Sequence, residues 1–323
     1  MICSVLKLFS NLILQKRRQQ GTTFITVLYL ERQAKGMLIL MKKAKAIWLL
    51  ILLVVPVLLL SGCESVTKRA DTQDTWNRIE RRKRVIVGLD DSFVPMGFRQ
   101  KNGKLVGYDV DLARAVFKQY GIKVDFQPID WSMKETELKN GTIDLLWNGY
   151  SVNPSRAKKV AFSRYYLENR QILVTKKKSN IKNLNGMTGK TLGVQNGSTG
   201  VTVLDEKPKL LKDKIKNHTP VLYDTFPNAF IDLNANRIQG ILMDEVYANY
   251  YIKHQPNSNS YRTYISKELP MEHFAVGMRK DDKTLKKKIN QGLGNLQKNG
   301  ELRKLNEKWF GQDSNYLGPD NTK

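Results

Sequence analysis

From residue 85 onward, short β-forming runs alternate with amphipathic helical stretches, and the series runs twice. Val85-Ile86-Val87-Gly88 opens the first. Asn102-Gly103, between short extended pieces, favours a tight hairpin. Residues 109–120 place Val110, Leu112, Ala113, Val116 and Phe117 on one helical face, and Gly121 supplies the stop. Residues 122–126 alternate as a strand. Ser132-Met133-Lys134-Glu135 reads as a capping box that opens a helix ending at Asn140-Gly141, and residues 143–147 read as a buried strand. The second series has strands at Thr191-Leu192-Gly193-Val194, Val221-Leu222-Tyr223 and Gly240-Ile241-Leu242-Met243, each leading to a helix. Phe274-Ala275-Val276-Gly277-Met278 is one more strand, and helices over 282–298 and 301–309 close the chain. This predicts an α/β fold of two βαβ lobes with two crossings, built on parallel sheets. Ligands of such sheets sit beyond the carboxyl ends of the strands, here across a cleft. A length of 323 residues suits two modest cores.

The segment before residue 84 reads as an address. Lys42-Lys43-Ala44-Lys45, an apolar run over 46–60 and Leu60-Ser61-Gly62-Cys63 have the order of a signal peptide, 41–62. The run is short for a membrane span. Cys63 offers a thiol for diacylglyceryl transfer, and the tetrad resembles a bacterial lipobox; the alternative is an uncleaved signal anchor. Residues 1–40 then read as an over-extended N-terminus, with Met37 or Met41 as the start. Residues 63–83 are polar and charged and read as a tether, and 312–323 as a tail. Cys3 and Cys63, the only cysteines, provide no disulfide framework.

Charge narrows the partners. With 54 basic against 30 acidic residues, net +24, the chain favours polyanions such as nucleic acid, anionic lipid or cell wall. The lysines at 176–178 and 286–288 read as solvated faces, and no zinc-finger spacing or RNA-binding motif accompanies them. Nucleic acid is not an expected partner.

Four places carry chemistry. Asp90-Asp91-Ser92-Phe93-Val94-Pro95 follows a strand and suits a polar side chain, or is an Asp-rich turn with Phe93 in the core. In Asn148-Gly149-Tyr150-Ser151-Val152-Asn153-Pro154-Ser155-Arg156, Gly149 lets a carbonyl approach a ligand and Ser151 offers a hydroxyl. Arg156 can grip a carboxylate bidentately, or lie exposed at a helix start. Asn196-Gly197-Ser198-Thr199-Gly200 joins a strand to a helix whose free N–H groups suit an anion; it lacks the Lys of a P-loop. Asp244 ends a strand, where it neutralises an ammonium group or caps the next helix.

Together these places recognise both ends of a zwitterion. Residues 83–311 resemble the polar amino acid-binding lipoprotein family of bacterial ABC importers, extracellular solute-binding protein family 3. The resemblance runs through Phe93-Val94-Pro95, Gly107-Tyr108-Asp109-Val110-Asp111-Leu112-Ala113, Ile143-Asp144-Leu145-Leu146, Arg156 to Phe162-Ser163, and Lys308-Trp309-Phe310-Gly311. It implies a two-lobed, periplasmic-binding-protein-like clam-shell of type II. Lobe 1 would span 84–165 plus 271–311 and lobe 2 170–266, with hinges near Tyr166 and Pro270. It also implies that Arg156 pairs with an α-carboxylate, helped by Ser151 and the Ser198–Thr199 backbone. Asp244 and the Gly149 carbonyl would take the α-ammonium, Phe93 and Trp131 would sandwich the side chain, and Asp90 would read its tip. Asn148 and Tyr150 flank Gly149, and Ser151-Val152-Asn153-Pro154 replaces the usual Thr-rich run. Gln195 stands where glutamine binders carry Lys, and Met243 where some carry His. Asp90, without a cationic neighbour in sequence, leans toward arginine, lysine, histidine or another donor-rich side chain, with cystine open.

The expected partners are a polar amino acid, a membrane permease and the membrane itself through Cys63, at the extracytoplasmic face. No cofactor, metal or ATP site is expected. Two alternatives remain: an enzyme on the same scaffold, and a surface adhesin that binds wall polymer or host matrix. His218, His254 and His273 show neither metal nor triad spacing.

Overall fold

The computed structural model describes residue 37 and residues 74–269, 271–311 and 317–320. Apart from residue 37, these belong to one compact unit within Ser65–Lys323. The expected N-terminal extension apart from residue 37, the signal peptide, Cys63 and the tether to residue 73, the hinge at Pro270 and most of the tail lie outside the described residues.

Lobe 1 is built on β1 (Arg84–Leu89), β2 (Ser92–Phe93), β3 (Gly97–Arg99), β4 (Leu105–Val106), β5 (Lys123–Pro128), β6 (Leu145–Leu146) and β7 (Ala161–Phe162). Lobe 2 uses β8 (Leu167–Lys176), β9 (Leu192–Gln195), β10 (Val221–Tyr223), β11 (Gly240–Asp244) and β12 (Tyr261–Tyr264). The chain returns through β13 (Met271–Phe274) and β14 (Gly277–Met278). The first sheet runs β5-β1-β6-β14-β7 and the second β10-β9-β11-β8-β12. The helices are α1 (Trp76–Arg82), α2 (Tyr108–Lys118), α3 (Lys134–Asn140), α4 (Pro154–Ala157), α5 (Thr199–Glu206), α6 (Phe226–Asn234), α7 (Glu245–Lys253), α8 (Lys283–Lys298) and α9 (Glu301–Phe310).

Both sheets start parallel, as the alternation requires. β1 lies between β5 and β6, and β9 between β10 and β11. Neither stays parallel: β14 joins antiparallel to β6 and β7, and β8 antiparallel to β11 and β12. The strand expected over 274–278 is two strands, β13 on β8 and β14 in the first sheet, because the chain changes sheet after Phe274. Ten-residue β8 went unread, since it carries charged and amide residues in its first half. That half pairs with β13, from Leu167↔Phe274 to Arg170↔Met271, and its second half enters the lobe 2 sheet. The hairpin at Asn102-Gly103 links β3 to β4, with Gly103 in the left-handed region at φ +80.

Two local readings are corrected. The helix expected from a box at Ser132 begins with a 3₁₀ turn, Trp131–Met133, whose cap is Asp130: its carboxylate accepts the Ser132 N–H at 2.8 Å. The end of the expected tether belongs to the body. Trp76 and Ile79 of α1 are buried, each apolar side chain contributing about 1.5–3 kcal/mol. Thr75 donates its N–H and hydroxyl to Asp282, and Arg78 and Arg82 pair with buried Asp144. Two apolar positions one turn apart and these polar bonds together dock this short helix.

Candidate ligand-binding cleft

Two sets of residues meet where the lobes approach, and they are opposite in charge. The basic set starts at the turn after β6. Gly149 is left-handed at φ +58, and a Cβ there would stand 3.0 Å from the Phe93 ring and 3.2 Å from Phe274. Glycine is therefore needed twice over. Its N–H donates to Asp109 Oδ2 at 2.7 Å, as does the Tyr166 hydroxyl at 2.9 Å. Burial pushes the Asp109 carboxyl up to about 7.

Asn153 caps α4 through the Arg156 N–H, with Pro154 in its first turn. That fixes Arg156, which is 5% exposed rather than free in water. Its Nη1 donates to the Ser151 carbonyl at 2.8 Å and its Nη2 to the Gly197 carbonyl at 3.2 Å, over the Tyr150 ring. Both partners are neutral, and among the described residues no carboxylate lies in ion-pair reach of this guanidinium. Lys134 joins it: Nζ donates to Gly197 O at 2.8 Å and Trp131 O at 2.9 Å, 3.5 Å from Glu135. Burial, then Arg156, lowers the Lys134 ammonium to about 7. Arg156 and Lys134 thus reach from lobe 1 to one carbonyl of lobe 2. Gly197 is left-handed at φ +68, and a Cβ there would stand 2.8 Å from Ser132 Cα.

Ser198 occupies the N-cap position of α5 without a side-chain cap bond, and its hydroxyl is buried without a partner. Thr199 is buried beside it. The first backbone rung of α5 is Thr202 N–H to Ser198 O, so the preceding amides point out of the helix end.

The acidic set lies along β11, β8 and β13. Asp244 sits where a cap would, yet makes no cap bond. Its Oδ1 accepts from Asn169 Nδ2 at 2.6 Å and Gln171 Nε2 at 2.9 Å. The same amides reach Glu272 Oε2 at 3.3 and 3.4 Å, and the Ser151 hydroxyl donates to that oxygen at 2.7 Å. Ser151 was expected on a ligand carboxylate; its one hydroxyl proton is spent on Glu272. Burial raises both carboxyls, and Glu272 raises Asp244 further, to about 7.

Asp90 is buried and raised by that burial. Oδ1 closes the expected Asp turn on the Ser92 N–H and hydroxyl, while Oδ2 accepts from Gln195 Nε2 at 2.8 Å across the lobes. Asn148 Oδ1 accepts the Asp90 N–H at 3.1 Å and so holds this loop in place. Phe93 packs edge-on to Tyr247 at 5.3 Å, and Trp131 edge-on to Tyr150 at 5.9 Å.

The structure buries Asp90, Phe93, Trp131, Asn148, Gly149, Ser151, Arg156, Gln195, Ser198, Thr199 and Asp244, with Asp90 bonded to Asn148 and Gln195, and Ser151 to Arg156 and to Glu272 beside Asp244. Sequence reading missed Asn169, Gln171, Glu272, Lys134 and Asp109. Asn169 and Gln171 share one face of β8 by the two-residue strand period, a signal available once that strand is known. A surface hollow of about 620 Å³ between α7 and α9 lies elsewhere, and none of its charged residues is buried.

Comparison with known proteins matches residues 85–312 to a model of the bacterial extracellular solute-binding proteins, family 3. The L-cystine-binding protein TcyJ of Escherichia coli is 29% identical over 262 residues, covering 80% of this chain and 94% of that protein. The arginine-binding extracellular protein ArtP of Bacillus subtilis is 29% identical over 255 residues, covering 78% and 96%. A crystal structure of an ABC uptake transporter substrate-binding protein from Streptococcus pneumoniae, with bound histidine, is 50% identical. It covers 74% of this chain and 97% of that one, with a TM-score of 0.73.

Proposed function

The chain belongs to the bacterial extracellular solute-binding proteins, family 3, and we propose that its cleft closes on an α-amino acid with a cationic or donor-rich side chain. It is a type II clam-shell and the extracytoplasmic substrate-binding component of an ABC-type amino acid importer. Binding, rather than turnover, is its task; its relatives are named as binding proteins.

The observation that carries the substrate class is the division of charge across one closed cleft. Arg156, Lys134 and the N-terminus of α5 converge at Gly197, while Asp244, Glu272 and Asp90 are buried with amide and hydroxyl donors. On this reading Arg156 and the α5 amides take the α-carboxylate. Asp244 and the Gly149 carbonyl take the α-ammonium, the side chain runs between Phe93 and Trp131, and Asp90 reads its tip. Asp90 is met across the lobes by the neutral Gln195 and, among the described residues, by no cation, so a positive side chain suits it. Of the amino acids named for the relatives above, histidine and arginine fall in that class, and L-cystine stands beside them. Lobe 1 would comprise 84–165 with 271–311, and lobe 2 170–266. An apo form opens about the β8–β13 crossing, closes on ligand and docks on the permease, held to the membrane through a lipid on Cys63.

A thermal-shift screen against the common amino acids and cystine tests this, since a ligand of the native state raises the melting temperature by mass action. Hits confined to arginine, lysine and histidine are expected. Folded, ligand-stripped protein that responds to no amino acid would sink the reading.

A further inference from the structure

Glu272 contributes charge to the cleft but has so far been given no contact with the ligand. It lies on β13, the returning half of the crossing, and is 7% exposed. One oxygen, Oε2, accepts from Ser151 of lobe 1 and from Asn169 and Gln171 of β8. The other, Oε1, is buried and has no hydrogen-bond partner. Both amides that reach Glu272 also donate to Asp244, so two carboxylates lie side by side on shared donors. Arg156 is the cation whose charge reaches both acids, yet it bonds to carbonyls instead. A buried carboxylate with an open oxygen beside another carboxylate calls for a cation.

We propose that Glu272 is a second ligand carboxylate: with Asp244 it forms a two-acid seat for the α-ammonium of the bound amino acid, and through Ser151 it ties that seat to the lobe that carries Arg156. The inference rests on the cleft being an amino acid site. An ammonium has three donors. Asp244 and Glu272 Oε1 supply two acceptors from different strands, and the Gly149 carbonyl supplies a third. The seat therefore spans lobe 2, the crossing and lobe 1, and it is complete only when these come together. It selects primary α-amines, because each substituent on nitrogen removes a donor that one of the three acceptors needs.

The test compares the wild type with Glu272→Gln, which keeps the acceptor for Ser151 and removes the charge. Affinity is measured by calorimetry for the amino acid found in the screen and for its α-hydroxy analogue. The expected result is a loss of tenfold or more for the amino acid, a change under threefold for the analogue, and an apo melting temperature that holds or rises. Equal losses for both ligands, no loss for either, or a fall in apo melting temperature would each overturn the proposal. If the wild type itself binds no amino acid, the functional reading has failed as well, a separate and visible outcome.

Discussion

The two ends of the cleft are charged by different means. At the basic end, Arg156 faces backbone carbonyls, so its charge is oriented but not neutralised, while Lys134 is shared between carbonyls and Glu135. At the acidic end, Asp244 and Glu272 are buried together, and burial raises both carboxyls, Asp244 to about 7. An anion therefore meets a ready cation, whereas an ammonium competes with protonation of Asp244. Most of the pH sensitivity of binding should arise at the acidic end, with Lys134 opposing it as its own ammonium forms near pH 7.

Removing the fixed cation should do the greatest damage. Arg156→Ala is expected to weaken amino acid binding on the order of a hundredfold or more, because truncating a buried charge partner costs about 2–5 kcal/mol. Arg156→Lys should recover only part, since it lacks the planar fork. Calorimetry at pH 7.5 reads both; normal binding by Arg156→Ala would erase the distinction between the ends.

Asp244→Asn should cost on the order of a hundredfold in affinity by the same argument, yet raise apo stability at pH 8. The sign follows from linkage. The raised folded pKa means that stability from Asp244 is fully present below its unfolded value near 3.8 and is lost as pH rises toward about 7. The wild-type melting temperature should thus fall relative to Asp244→Asn between pH 5 and pH 8, by a few degrees. A constant difference would show that the acid holds no proton.

Gln195→Lys places a cation against Asp90 and should lower affinity for a cationic amino acid about tenfold while favouring a neutral amide side chain. A ligand profile that does not shift would remove Asp90 from the side-chain subsite. Lys134→Met should have the smallest effect, weakening binding a few-fold at pH 6 and less at pH 8, where Lys134 is largely neutral already.

The basic end was legible in the sequence because it is local. Asn153, Pro154 and Arg156 form one capped turn, and Gly197 to Thr199 one loop before a helix. The acidic end was not, because its parts are distant: Asn169 and Gln171 on β8, Asp244 on β11 and Glu272 on β13 meet only through strand pairing. The alternation of strands and helices fixed the lobes, but not the antiparallel strands, which carry no periodicity that distinguishes them from parallel ones. The tether ended early for the converse reason: Trp76 and Ile79 are too few to show a helical stripe, though enough to bury.

Strand β8 joins the crossing to the centre of lobe 2 without a break. Asn169 lies in the half paired with β13, and Gln171 in the half paired with β11. The strand that meets the returning chain and the strand that holds the two acids in place are consequently one piece of backbone. The two amides hold the acids and not the ligand, so any shift of Asp244 or Glu272 on ligation is passed to this strand through them. A substitution at Asn169 or Gln171 is then felt both at the acids and along the pairing with β13 and β11.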